Sequence, residues 1–158
     1  MEFEPECAPM TGGSQFMISM EDRGAIADLI SLYGIVIDER QWILVSALFT
    51  DDAVYDITDF DAGVLHGADE IRKFWESTAL HPLAHHSTNV LVRGDRCGNA
   101  VALSKGIGVG RGGKVGSVTY YDEFRRTDSG WRISKRVAIL RKADRNHDAG
   151  LLSRYLSA

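Results

Sequence analysis

The chain has 158 residues, of which 44% are hydrophobic and 25% charged, with a formal net charge of −4. That length fits one domain whose core needs no disulfide or metal staple. The balance excludes a disordered chain, a collagen-like repeat and a coiled-coil rod, and it offers no broad electrostatic grip on nucleic acid or an anionic membrane.

Residues 1–18 hold Pro5, Pro9, Gly12 and Gly13 without periodicity and read as a flexible leader. Glu2, Glu4 and Glu6 stand where a signal peptide would be basic. The only cysteines are Cys7 and Cys97. Cys7 falls in the leader, so no bridge to Cys97 is expected, and a reducing cytoplasm is the expected compartment. No apolar run reaches the roughly 18 residues of a membrane helix.

Ser19 is a helix cap, with acidic Glu21 and Asp22 in the first turn and Asp22 at the reciprocal capping position. Ile26, Leu29, Ile30, Tyr33 and Ile37 then fall in one helical stripe. A second helix is expected over 41–49, with Trp42, Val45, Leu48 and Phe49 facing inward. A short strand follows over Ala53–Asp59, then an extended piece at Val64–His66. A third helix is expected over 68–78, and Pro82 forbids its continuation. Residues 84–93, 99–109, 115–127 and 131–142 are long strands rich in Val, Ile, Tyr and Phe, separated by glycine-bearing turns. Residues 144–158 are expected to form a polar tail, with a short helix expected at Leu151–Leu156. The expected fold class is α+β: residues 19–143 form a cone-shaped barrel, a curved antiparallel or mixed sheet with three helices on its concave face.

This order resembles the nuclear transport factor 2-like superfamily, in its SnoaL-like branch. The resemblance covers residues 20–142. It rests on Ala27-Asp28-Leu29-Ile30, Ile37-Asp38-Glu39-Arg40, Leu48-Phe49-Thr50-Asp51-Asp52-Ala53-Val54-Tyr55, Gly67-Ala68-Asp69-Glu70-Ile71, His85-His86-Ser87-Thr88-Asn89 and Gly130-Trp131-Arg132-Ile133. Each motif is weak alone; their order is specific for the fold. The family includes scytalone dehydratase, bile-acid dehydratases, a hexachlorocyclohexane dehydrochlorinase, isomerases, cyclases and non-enzymatic dimerisation domains. Function must therefore be read from the residues inside the cone.

Asp38 ends the first helix, where a negative charge is unfavourable unless something compensates it, and Gly34 one turn earlier leaves space beside it. The resemblance implies a catalytic Asp there. His85 and His86 must point to opposite faces of their strand, and Ser87 and Asn89 share a face with His85. In the lyase members a catalytic His precedes an Asn by four positions, which selects His85. Counting from Asp38 would select His86. Tyr33 matches a functional position of the same members, but an ideal helix sets it about 140° from Asp38. Trp42, Tyr55, Phe60, Trp75, Asn89 and Trp131 are expected to line a substrate pocket. Gly108-Val109-Gly110-Arg111-Gly112-Gly113 mimics a phosphate loop, but a β-rich run follows it, so it is read as a hairpin turn. The arginines from Arg125 to Arg136 are read as sheet-surface or dimer-face charges. Neither a metal nor an organic cofactor is expected.

An Asp38–His85 dyad would fix the imidazole tautomer and leave its far nitrogen as general base, while Tyr33 would donate to a leaving hydroxyl or an enolate. The expected activity is cofactor-independent elimination or proton shift on a small hydrophobic ring compound, as a lyase of dehydratase type or an isomerase. A non-catalytic carrier would instead keep Asp38 and His85 apart, and a dimerisation module would fill the pocket with Trp42, Tyr55 and Trp131. A homodimer or higher homo-oligomer is expected by analogy, because the outer sheet face needs covering. No nucleic-acid or membrane partner is expected.

Overall fold

A computed structural model describes residues 17–77, 81–95, 97–143 and 150–158. The leader therefore lies almost wholly outside the described residues. At its end, Ile18 is already buried in the core.

Helix α1 spans Met20–Asp38, and the Ser19 hydroxyl caps it by accepting from the Asp22 N–H at 3.0 Å. The Asp22 carboxylate does not close a reciprocal box. It accepts from the indole N–H of Trp131 at 3.0 Å and pairs with Arg126. The Trp131 and Ser19 hydrogen bonds hold this carboxyl below its ordinary value, with burial opposing them and Arg126 helping. A carboxyl lowered by folding adds stability that is fully present above its unfolded value of 3.8 and is lost as pH falls through the folded value. Asp22→Asn is accordingly expected to lower the urea midpoint at pH 7, with the gap to the native protein closing in strong acid. A gap that stays constant with pH would mean the carboxylate charge contributes nothing.

The expected second helix is split. A 3-10 turn at Trp42–Leu44 runs into one α turn, α2, at Val45–Leu48, and Phe49 already opens strand β1, Phe49–Asp56. Strand β2 is Val64–His66 and helix α3 is Ala68–Ser77. Strands β3 (Ala84–Gly94), β4 (Ala100–Val109), β5 (Val115–Thr127) and β6 (Gly130–Leu140) follow, then helix α4 at Gly150–Ser157.

The sheet order is β2-β1-β6-β5-β4-β3. All neighbours are antiparallel except β1 and β6, which pair in parallel, so the sheet is mixed. The α1 stripe packs Ile26, Ile30, Tyr33 and Ile37 into the main core with Phe49, Trp75, Phe124 and Ile133. The outer face carries a second cluster of Val101, Tyr121 and Val137, which α4 covers with Leu151 and Tyr155. Arg93 ties down the end of that helix, donating to the carbonyls of Tyr155, Leu156 and Ala158.

A register shift interrupts β3 between Thr88 and Leu91, with Asn89 in the left-handed region at φ 51°. Alternation therefore fails across this bulge. Val90 and Val92 pack against the core, whereas Asn89 is exposed. Cys97 is disulfide-bonded, against the expectation of no bridge. It occupies an exposed turn whose backbone is held by Asp95, which accepts from the N–H groups of Cys97 and Asn99, so its sulfur is not sealed in the core. Cys7 lies outside the described residues.

Candidate active site

The concave face of the sheet, α1 and α3 enclose a cavity of about 580 Å³. Its wall is mainly apolar and includes Ile37, Ile57, Phe74, Trp75, Val118 and Leu140. Its polar groups come from Tyr33, Tyr55, Tyr120, His81, His85, Ser117 and Lys114.

Asp38 grips His85 twice. Its Oδ1 lies 2.6 Å from the ring Nδ1, and its Oδ2 accepts from the backbone N–H of His85 at 2.8 Å. A carboxylate only accepts, so Nδ1 carries the ring proton and Nε2 of the neutral ring holds the lone pair. The His85 side chain is 17% exposed and lines the cavity, whereas His86 is exposed on the other face. The two histidines divide as strand alternation requires. The carboxylate at the end of α1 also gains two N–H partners against the unfavourable helix dipole.

Gly34 makes this approach possible. A Cβ built there would meet the His85 carbonyl oxygen at 3.0 Å and its Cβ at 3.3 Å. Gly34→Ala is therefore expected to push β3 outward and loosen the Asp38–His85 contact, lowering turnover by about 10–100-fold with little change in fold. Unchanged turnover beside a crystal structure with β3 in place would show that the strand tolerates the methyl group.

Tyr33 and Asp38 meet the cavity in different ways, which removes the 140° difficulty. Tyr33 lines the wall itself, while Asp38 stands behind His85. The Tyr33 and Tyr55 hydroxyls lie 2.7 Å apart. Burial raises the Tyr55 and Tyr120 hydroxyls well above their ordinary value, neighbouring Tyr33 adds to this, and Arg136 opposes it. Both therefore stay protonated.

Beneath these rings lies a fully buried ion pair that the sequence reading misplaced. Arg136 is not a surface charge. It donates to both carboxylate oxygens of Asp122 at 2.7 and 2.8 Å, and both side chains are 0% exposed. Its guanidinium carbon is 4.0 Å from the Tyr33 ring centroid and 4.4 Å from that of Tyr120. Burial works against the charge of Arg136, but Asp122 outweighs it and holds the group above its ordinary value. Arg136 Nη1 and Ser104 Oγ have no hydrogen-bond partner among the described residues. The missed signal was strand phase: Asp122 alternates with Tyr120 and Phe124 on β5, so it must point inward with them and needs a cation beside it.

Of the six expected pocket residues, Tyr55, Phe60 and Trp75 line the cavity. Trp42 does not reach it; its ring backs Trp75 and His81 at 6.2 and 5.5 Å between centroids. Asn89 is turned out by the bulge. Trp131 is held elsewhere by Asp22, with Arg126 over its ring. The glycine-rich segment is the β4–β5 turn, with Gly112 and Gly113 at φ 71° and 75°, and its flanks Gly108, Gly110 and Gly116 form part of the cavity wall.

His81 was not foreseen. Its Nε2 lies 2.9 Å from the Trp75 carbonyl oxygen. Burial lowers its pKa, Trp75 pulls the other way, and Arg40 and His85 add to the lowering. Among the described residues, no group of three or more His, Cys, Asp or Glu side chains is placed to hold a metal ion. No described helix is long and apolar enough to cross a membrane.

The separation expected of a carrier and the filled pocket expected of a dimerisation module are both absent. Asp38 and His85 are in contact, and the cavity is open.

Comparison with known structures gives the same architecture. One match is a protein from Novosphingobium aromaticivorans, provisionally named an aromatic ring hydroxylase, at 30% identity over 79% of this chain and 92% of that one, with a TM-score of 0.66. An NTF2-like protein with a cystatin-like fold from the same organism matches at 25% identity, covering 85% and 88%, with a TM-score of 0.70. A hexachlorocyclohexane dehydrochlorinase from Novosphingobium barchaimii matches at 22% identity, covering 82% and 99%, with a TM-score of 0.61. No curated protein matches. The SnoaL-like domain family matches residues 19–137, and the chain belongs to that family.

Proposed function

We propose that the protein is a cofactor-independent lyase or isomerase for a small hydrophobic ring compound, with Asp38 and His85 as its acid–base dyad. The observation that carries this reading is the double hold of Asp38 on His85 at 2.6 and 2.8 Å, on a ring that borders an apolar cavity of about 580 Å³. A cavity of that size suits a compound of one to several rings.

In the proposed step, Nε2 of His85 removes a proton from a substrate carbon. The C–H electron pair forms a C=C bond as the bond to the β leaving group breaks, or it passes into an enolate if the reaction is a proton shift. The imidazolium that forms is stabilised by the Asp38 carboxylate. Tyr33 donates to the leaving group or the enolate oxygen, with Tyr55 turning its own hydroxyl proton toward Tyr33. The buried Arg136 beneath Tyr33 favours negative charge developing above that ring.

The test is proton exchange in D2O with a panel of cyclic β-hydroxyketones, chlorinated cyclohexanes and cyclic enones. The expected result is enzyme-dependent deuterium incorporation or elimination for at least one class, lost in His85→Gln. Tight binding across the panel with neither exchange nor elimination would overturn the reading in favour of a carrier.

A further inference from the structure

The cavity holds a second imidazole, and its surroundings fix what it can do. The Trp75 carbonyl can only accept, so the N–H of a neutral His81 sits on Nε2 at 2.9 Å from it. That leaves Nδ1 with a lone pair and no partner among the described residues. The ring is braced by Trp42 at 5.5 Å between centroids. The next residue, Pro82, lies against Gly108, where an added Cβ would come within 3.2 Å of the proline Cγ. His81 is thus a group on the cavity wall, held by these contacts, whose free nitrogen accepts a hydrogen bond and cannot donate one. The lowering of its pKa by burial, Arg40 and His85 keeps it in that form.

We propose that His81 is a specificity-determining acceptor that selects ring compounds carrying a free hydroxyl or N–H group over their ethers and hydrocarbons. This rests on the reading of the cavity as the substrate site, and it adds the substrate class: a hydroxylated or amino-bearing ring, whose donor is separate from the bonds that His85 and Tyr33 act on. A neutral hydrogen bond in a mainly apolar wall is expected to favour the donor-bearing ligand by about three- to tenfold. His81→Phe keeps an aromatic ring beside Trp42 but removes the acceptor.

The experiment titrates the protein with 2-naphthol and with 2-methoxynaphthalene by isothermal titration calorimetry. The native protein is expected to prefer the naphthol by that factor. His81→Phe is expected to lose the preference through weaker naphthol binding, with the ether affinity unchanged. On native protein labelled with ¹⁵N histidine, the His81 Nδ1 resonance is expected to move upfield with the naphthol and stay in place with the ether, so the test survives if the variant does not fold. No preference in the native protein overturns the proposal, as does a motionless Nδ1 resonance. Loss of the preference in His85→Gln, with retention in His81→Phe, overturns it too and leaves the dyad reading standing. A preference that depends on His81 without any proton exchange would instead sink the dyad reading and keep this one.

Discussion

Asp38→Asn is expected to lower kcat/KM by about 10³–10⁴-fold while the protein stays folded. The native carboxylate accepts from two N–H groups of one residue, the ring Nδ1 at 2.6 Å and the backbone N at 2.8 Å. An asparagine amide can accept through only one of its two atoms. If its oxygen keeps the backbone N–H, its NH2 group faces the ring and forces Nδ1 to become the acceptor. The proton then moves to Nε2, and the atom proposed as base becomes a donor. The loss therefore appears in kcat more than in KM, because ligand contacts with the cavity wall are untouched. Circular dichroism and a urea curve separate this from unfolding. A variant retaining more than a tenth of native turnover would show that Asp38 does not set the tautomer of His85.

The second large effect concerns stability. Asp122→Ala leaves the Arg136 guanidinium fully buried between two aromatic rings without its counter-ion. Stripping one partner from a buried pair costs about 3–5 kcal/mol. Domains of this size have about 5–15 kcal/mol in total, so the urea midpoint should fall steeply. The double variant Asp122→Leu with Arg136→Met removes both charges and is expected to recover most of that loss, because the desolvation cost disappears with the pair. Its activity should not recover, since the positive charge beneath Tyr33 is gone. Additive losses in the double variant would mean that the pair is not energetically coupled.

Much of this arrangement could be read from local sequence. Ser19 capping α1, the α1 stripe, α3 and the four long strands all follow from spacing that neighbouring residues determine. The inward turn of His85 follows from alternation, because β3 is regular up to Thr88. Alternation misplaced Asn89, because a bulge is set by the fit of β3 against β4; the one local hint was Asn89 itself, a poor strand former that tolerates the left-handed region. The parallel pairing of β1 with β6 joins segments about 80 residues apart and left no mark in either strand. Arg136 looked like a surface charge because arginine usually is one. Only the inward phase of Asp122 on the neighbouring strand could have argued otherwise. His81 drew no attention because its meaning comes from the Trp75 carbonyl at the end of another element, a group every residue possesses.

Helix α4 also bears on how the molecule ages in solution. An eight-residue helix is too short to persist alone in water, so its order is borrowed from the sheet beneath it. It is therefore a region expected to open locally at low cost, with early exchange of its amide hydrogens. Each opening uncovers Val101, Tyr121 and Val137 together, three apolar side chains on adjacent strands. Arg93 limits how often this happens by holding three carbonyls at the helix end. Weakening that one arginine would leave the cavity chemistry intact and still shorten the shelf life of the protein, because the newly bared patch is sticky toward other copies.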